Sequence, residues 1–234
     1  MQNSLILLLE TATPNCSVAL AENGVVLAFK ELNEQNVHAS HITLFVEEVM
    51  KDVGKKYSEL NAIAISKGPG SYTGLRIGVS TAKGLCFALD IPLIAINTLE
   101  AMAAGAVGMM KNQDKELIFC PMIDARRMEV YTAQYDSELN EIQPVRAEII
   151  DETTFADLLN SKSVVFFGSG SEKCKPLYAS HENAIFLELE NSAAYMATAA
   201  NDKFKSENFE NVAYFEPFYL KDFVTTAPAV KKNK

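Results

Sequence analysis

The sequence predicts an α/β protein of two lobes, each built from a βββαβα unit, and three observations carry the prediction. Apolar segments of strand length, joined by turn residues, open the chain. A glycine-rich loop, Gly68 to Gly74, separates a buried strand from an amphipathic helix, and the second half repeats this order in degenerate form. The lobes are expected over residues 1–107 and 108–234, with the last segment able to pack back on the first lobe.

Leu5 to Leu9 is a continuous apolar run, as in a strand buried on both faces, and Glu10 to Asn15 follows as a turn. Cys16 to Ala21 is the second strand. Asn23-Gly24 then precedes the apolar Val25 to Phe29, a hairpin pattern because both turn residues tolerate positive φ. Ala39 to Val53 carries Ile42, Phe45, Val46, Val49 and Val53 at helical spacing. Ala62 to Ser66 is a buried strand, Leu75 to Leu89 a second helix, Pro92 to Asn97 a strand and Thr98 to Val107 a third helix. In the second half Leu117 to Ile123 ends in Asp124 as the first strand ends in Glu10. Val130 to Tyr135 returns after Arg126-Arg127-Met128. Val164 to Phe167 runs into Gly168-Ser169-Gly170-Ser171, as the earlier strand runs into Gly68-Pro69-Gly70-Ser71. A duplicated unit of this kind is the layout of the actin, Hsp70 and sugar-kinase superfamily, whose two lobes face a nucleotide cleft; that step is analogy.

Composition narrows the function. At 234 residues and 48% hydrophobic the chain can bury a sizeable core. A net charge of -9 disfavours a protein that grips nucleic acid unaided, since phosphate contacts need clustered Lys and Arg. The basic cluster Lys231-Lys232-Asn233-Lys234 reads as a solubilising tail. Cys16, Cys86, Cys120 and Cys174 are far apart, which suggests buried thiols and not a disulfide framework or zinc site. No apolar run approaches the ~18 residues of a membrane span, and Met1-Gln2-Asn3-Ser4 lacks a basic leader, so a cytoplasmic location is expected.

The segment with the most chemistry is Lys67-Gly68-Pro69-Gly70-Ser71-Tyr72-Thr73-Gly74-Leu75-Arg76-Ile77-Gly78. Its glycines and hydroxyls lie between a strand and a helix start, where free backbone N–H groups can hold an anion. It is not a Walker loop, because no Gly-Lys-Ser/Thr follows. Tight turns that bind nothing also use glycine and proline, and Ser71 or Thr73 could simply cap the helix.

As a pattern this loop resembles the Gly-Pro-Gly-Ser-Phe/Tyr-Thr-Gly-Leu/Val-Arg-Ile-Gly signature of the TsaB (YeaZ) family. The resemblance extends over Leu7 to Leu20, Ile94 to Leu99, Ile123 to Arg126, Glu129 to Tyr131 and Glu216-Pro217-Phe218-Tyr219-Leu220; Ala147 to Asn211 is the least distinctive stretch. Glu10 stands where the family usually has Asp, which questions a direct metal or phosphate role and leaves a hydrogen bond to the next turn. The resemblance implies a non-catalytic subunit of the machinery that makes N6-threonylcarbamoyladenosine at position 37 of tRNA. Its catalytic paralogue, TsaD, supplies two histidines at i and i+4 to a metal that holds ATP. Here Thr98 and Met102 occupy the corresponding positions, so ATP and metal are expected on the TsaD-like partner and no tight cofactor on this chain. Thr11 to Asn15 and Ala125 to Met128 also lack glycine to bring amides close to phosphates. His38 and His41 read as solvated histidines near a helix start, and His181 as isolated.

The second helix is apolar or small on two sides, with Arg76, Ser80 and Lys83 between them, so one side suits its own sheet and the other a second chain. The resemblance places that contact on helices 41–53 and 75–89, through Phe45, Val49, Leu75, Gly78, Val79, Ala82 and Cys86. It pairs them with a TsaD-like subunit, or with a second copy when alone. Further expected partners are a TsaE-like ATPase and TsaC, with tRNA met only through the complex. The rival expectations are a stand-alone ATP-dependent or glycoprotease-like enzyme of the same superfamily, and a homodimeric module with another ligand in the Gly68 to Gly74 loop.

Overall fold

The structure, a computed structural model, describes residues 3–34, 37–111 and 116–221. The first unit runs β1 (Leu5–Glu10), β2 (Asn15–Glu22), β3 (Val25–Asn33), α1 (His38–Val53), β4 (Ala62–Ser66), α2 (Tyr72–Leu89), β5 (Leu93–Ile96) and α3 (Thr98–Met109). The second runs β6 (Leu117–Asp124), β7 (Glu129–Tyr135), β8 (Glu141–Ile149), α4 (Ala156–Ser161), β9 (Ser163–Phe167), α5 (Lys175–Tyr178), β10 (Ala184–Leu187) and α6 (Ala197–Lys205). The sheets have orders β3-β2-β1-β4-β5 and β10-β9-β6-β7-β8, one topology twice with the opening strand of each unit central. The repeat is therefore structural. The basic tail from Lys231 lies outside the described residues.

β1 is apolar at every position but its last because both faces are covered. Leu5, Leu7 and Leu9 point to the side of α1 and α2, with Val46, Val49, Ile63 and Ile65. Ile6 and Leu8 point to the other side, against Met196, Ala197, Ala200 and Phe204. α1 ends where Gly54 takes a left-handed conformation at φ 71°.

Packing crosses the boundary expected at 107 and 108. α3, the last helix of the first unit, buries Leu99, Met102, Ala103 and Ala106 against Leu117, Phe119 and Val165 of the second sheet. In return α6 lies on the first sheet, where Asn201 Oδ1 accepts from Ser4 Oγ at 2.8 Å and Lys203 Nζ donates to Ala95 O at 2.8 Å. Each unit thus lends its final helix to the other. β8 had no expectation in the sequence, since an exposed edge strand has no buried face to impose alternation. No helix among the described residues is long and apolar enough to cross a membrane.

Candidate functional site

The site is built where the opening strands of the two units end. Glu10 is fully buried: its Oε1 accepts from Ala12 N–H at 2.5 Å and from Ser66 Oγ at 2.8 Å. Desolvation pushes its pKa up to about 7, against the pull of the hydrogen bonds from Ala12 and Ser66. Its Oε2 has no hydrogen-bond partner. Asp124, the matching acid, takes the same i+2 turn bond from Arg126 N–H at 2.6 Å, but it is exposed and paired with Lys173 at 2.9 Å. The two acids share a turn and differ in solvation.

The glycine loop is committed to the chain's own backbone. A Cβ on Gly70 would strike the Ala12 carbonyl, one on Gly74 the Thr11 carbonyl, and one on Gly78 the Thr11 hydroxyl and Ile65. Gly68, at φ 112°, donates its N–H to Thr98 Oγ1 at 3.1 Å and accepts from Thr98 N–H at 3.1 Å. The peptide bond from Gly68 to Pro69 is cis. Ser71 donates its N–H to Ala12 O at 2.7 Å, and as the N-cap of α2 its hydroxyl accepts from Gly74 N–H at 3.2 Å. The donors of Gly68, Ser71 and Gly74 are thus used within the chain, and of the two hydroxyls the sequence offered, Ser71 is the cap. Thr73 is exposed.

A C-terminal strap, in the last segment that the sequence allowed to pack back on the first lobe, covers part of this loop. Phe218 donates its N–H to Lys67 O at 2.7 Å, Tyr219 packs on Tyr72 with ring centroids 4.7 Å apart, and Arg76 reaches Tyr72 OH at 3.1 Å. Lys83 Nζ donates to the carbonyls of Ala213 and Phe215 at 3.1 Å each. Val212 and Phe215 join the core beside α2. Lys221 then pairs with Glu129 of the second unit.

The two positions on α3 are both buried. Thr98 is tied to Gly68, and the Met102 methyl lies where a side chain on Gly168 would stand. One turn apart, they touch the glycine loops of both units. His38 corrects the sequence reading: it is 6% exposed, its Nε2 lies 2.8 Å from Thr13 O, and burial lowers its pKa. It ties α1 to the turn after β1. His181 Nδ1 accepts from Asn183 N–H at 3.2 Å. All four cysteines are free and buried.

The residues expected at an interface need a second correction. Val49, Leu75, Val79, Ala82 and Cys86 lie inside the core, and Gly78 is closed in by Thr11 and Ile65. Phe45 alone of that set is partly exposed, packed on the core edge. These positions serve the packing of α1 and α2 on their own sheet. Part of the second side of α2 is taken by the strap, and the open remainder runs along Arg76, Ser80, Gly84, Phe87 and Ala88. Phe87 is 87% exposed, and nothing lies within 4 Å of a Cβ on Gly84.

The family model of TsaD, tRNA N6-adenosine threonylcarbamoyltransferase, matches residues 31–228. The tRNA threonylcarbamoyladenosine biosynthesis protein TsaB of Haemophilus influenzae is 32% identical over 235 residues, 96% of this chain and 97% of that one. TsaB of Escherichia coli is 40% identical over 137 residues, 58% and 57% of the two chains. Among solved structures, YeaZ from Pseudomonas aeruginosa superposes with a TM-score of 0.77 at 26% identity, covering 93% of this chain and all, 100%, of that one. A polyphosphate/ATP-glucomannokinase from Arthrobacter sp. strain KM, 10% identical, covers 87% and 99% with a TM-score of 0.51 and shares the fold alone. The actin-like, sugar-kinase architecture is thus shown.

Proposed function

This chain belongs to the TsaB proteins of tRNA threonylcarbamoyladenosine biosynthesis, within the wider family that the TsaD model describes, and from that premise we propose that it is a non-catalytic subunit of the synthesis complex. It binds and activates a TsaD-like transferase in the cytoplasm. ATP and metal are held by that partner, and the TsaE-like ATPase and tRNA are met through the assembly.

The observation that carries this reading is the state of α3. Thr98 and Met102 are spent on Gly68 and Gly168, so the junction where the catalytic relative is expected to hold its metal is here a packing joint. A hydroxyl and a thioether buried in such contacts are poor ligands for a hard divalent cation. The filled glycine loop supports the same conclusion, because three of its amides already have partners inside the chain. The contact with the transferase is assigned to the open side of α2, around Gly84 and Phe87, together with the exposed Leu44 of α1.

The test is co-purification with a TsaD-like subunit, followed by detection of threonylcarbamoylated tRNA with and without this chain. Stable pairing and chain-dependent modification are expected. Modification of tRNA by the chain alone would overturn the reading.

A further inference from the structure

The turn between β6 and β7, Ala125 to Met128, has no role in the mechanism above, yet its chemistry is unlike the rest of the chain. Arg126 and Arg127 both adopt left-handed backbone, at φ 71° and 48°. Side chains with a Cβ resist this conformation, and two-residue turns that need it favour Asn-Gly. The chain uses that cheaper solution between β2 and β3, where Asn23 and Gly24 stand at φ 55° and 84°. In the longer turn between β6 and β7, closed where Ala125 donates its N–H to Glu129 O at 3.1 Å, two consecutive left-handed positions are filled by arginines.

Their charge is uncompensated. Asp124 is paired with Lys173 at 2.9 Å and Glu129 with Lys221 at 2.5 Å, so each carboxylate flanking the turn is already neutralised. Two uncompensated positive charges remain at the tip, in a chain whose net charge is -9. Neither arginine side chain has an ion-pair or hydrogen-bond partner among the described residues. The other two arginines differ: Arg76 bonds Tyr72 OH and Arg146 pairs with Glu148. Both tip arginines are exposed, as is Met128. No aromatic ring occurs in the turn to stack on a base, whereas guanidinium forks match phosphate oxygens.

We propose that Arg126 and Arg127 form a contact for the phosphodiester backbone of tRNA, reading charge and not sequence, on the tRNA that the complex holds. The contact rests on the proposed function, because a chain of this net charge needs a partner to bring the RNA to it.

The experiment uses the assembled complex with an unmodified tRNA transcript. The variant is Arg126→Asn with Arg127→Gly, which gives the turn residues suited to its conformation and keeps the fold. Its dissociation constant for tRNA is expected to rise about fivefold to tenfold at ~0.1 M salt, and the slope of log K against log salt to fall by about 1 to 2. Unchanged affinity and slope in an intact complex would overturn the contact. Loss of the TsaD-like subunit by the variant alone would overturn it in favour of an acidic protein surface. If the wild-type chain pairs with no transferase, it is the proposed function that fails, and the RNA contact falls with it.

Discussion

Glu10 and Asp124 end equivalent strands and take the same turn bond, but only Glu10 has lost its water. The folded state raises the Glu10 pKa from 4.5 to about 7, so the proton is held more tightly folded than unfolded. Its contribution to stability is therefore whole below about pH 4.5 and is lost as pH rises through about 7, a change of about 3 kcal/mol. His38 acts in the opposite sense, since its lowered pKa favours the folded state above the ordinary imidazole value and disfavours it as pH falls. Subtracting wild type from Glu10→Gln isolates the carboxyl: the variant should lack the loss between about pH 4.5 and 7, measured by urea denaturation at each pH. Gly74→Ala should cost about 1–3 kcal/mol in the same assay, because its methyl meets the Thr11 carbonyl and not a side chain that can move. The glycine pattern was legible in the sequence. What it was for was not, since the colliding carbonyls belong to a turn more than fifty residues earlier.

At the scale of the element, α2 shows how much a helix face can hide. The sequence correctly marks two apolar sides but cannot say which faces the sheet, because periodicity gives relative angles and no absolute direction. The buried set includes Val79 and Ala82, the open set Gly84 and Phe87. Ala82→Arg should abolish folding by burying an unpaired charge, seen as loss of a cooperative transition. Phe87→Glu should leave stability within ~0.5 kcal/mol and weaken binding to the TsaD-like subunit by about tenfold or more, measured by calorimetry. Full retention of that binding would remove α2 from the interface. His38 escaped detection for a related reason: a polar residue at a helix start looks solvated until the turn that covers it is in place.

Across the whole molecule, three devices hold the two units together: the exchanged helices α3 and α6, the Thr98 and Met102 contacts to both glycine loops, and the strap that ends on Glu129. Thr98→Val keeps the volume and leaves the Gly68 N–H buried without an acceptor, which should cost about 1–3 kcal/mol by denaturation. From the chain alone came the strands other than β8 and β10, the three long helices, the duplication and the loop, because each is written in local spacing: alternate or continuous apolar runs, helical periods, and glycine where the backbone must turn or touch. The family signature was also legible, being contiguous. The exchange of helices, the particular contacts of the strap, the buried state of Glu10 and its neighbour Asn191 were decided in three dimensions. Asn15 Nδ2 meets Asn191 O across a separation of 176 residues. No sequence period extends so far, and only closure of one lobe on the other removes the water that gives those groups their ordinary chemistry.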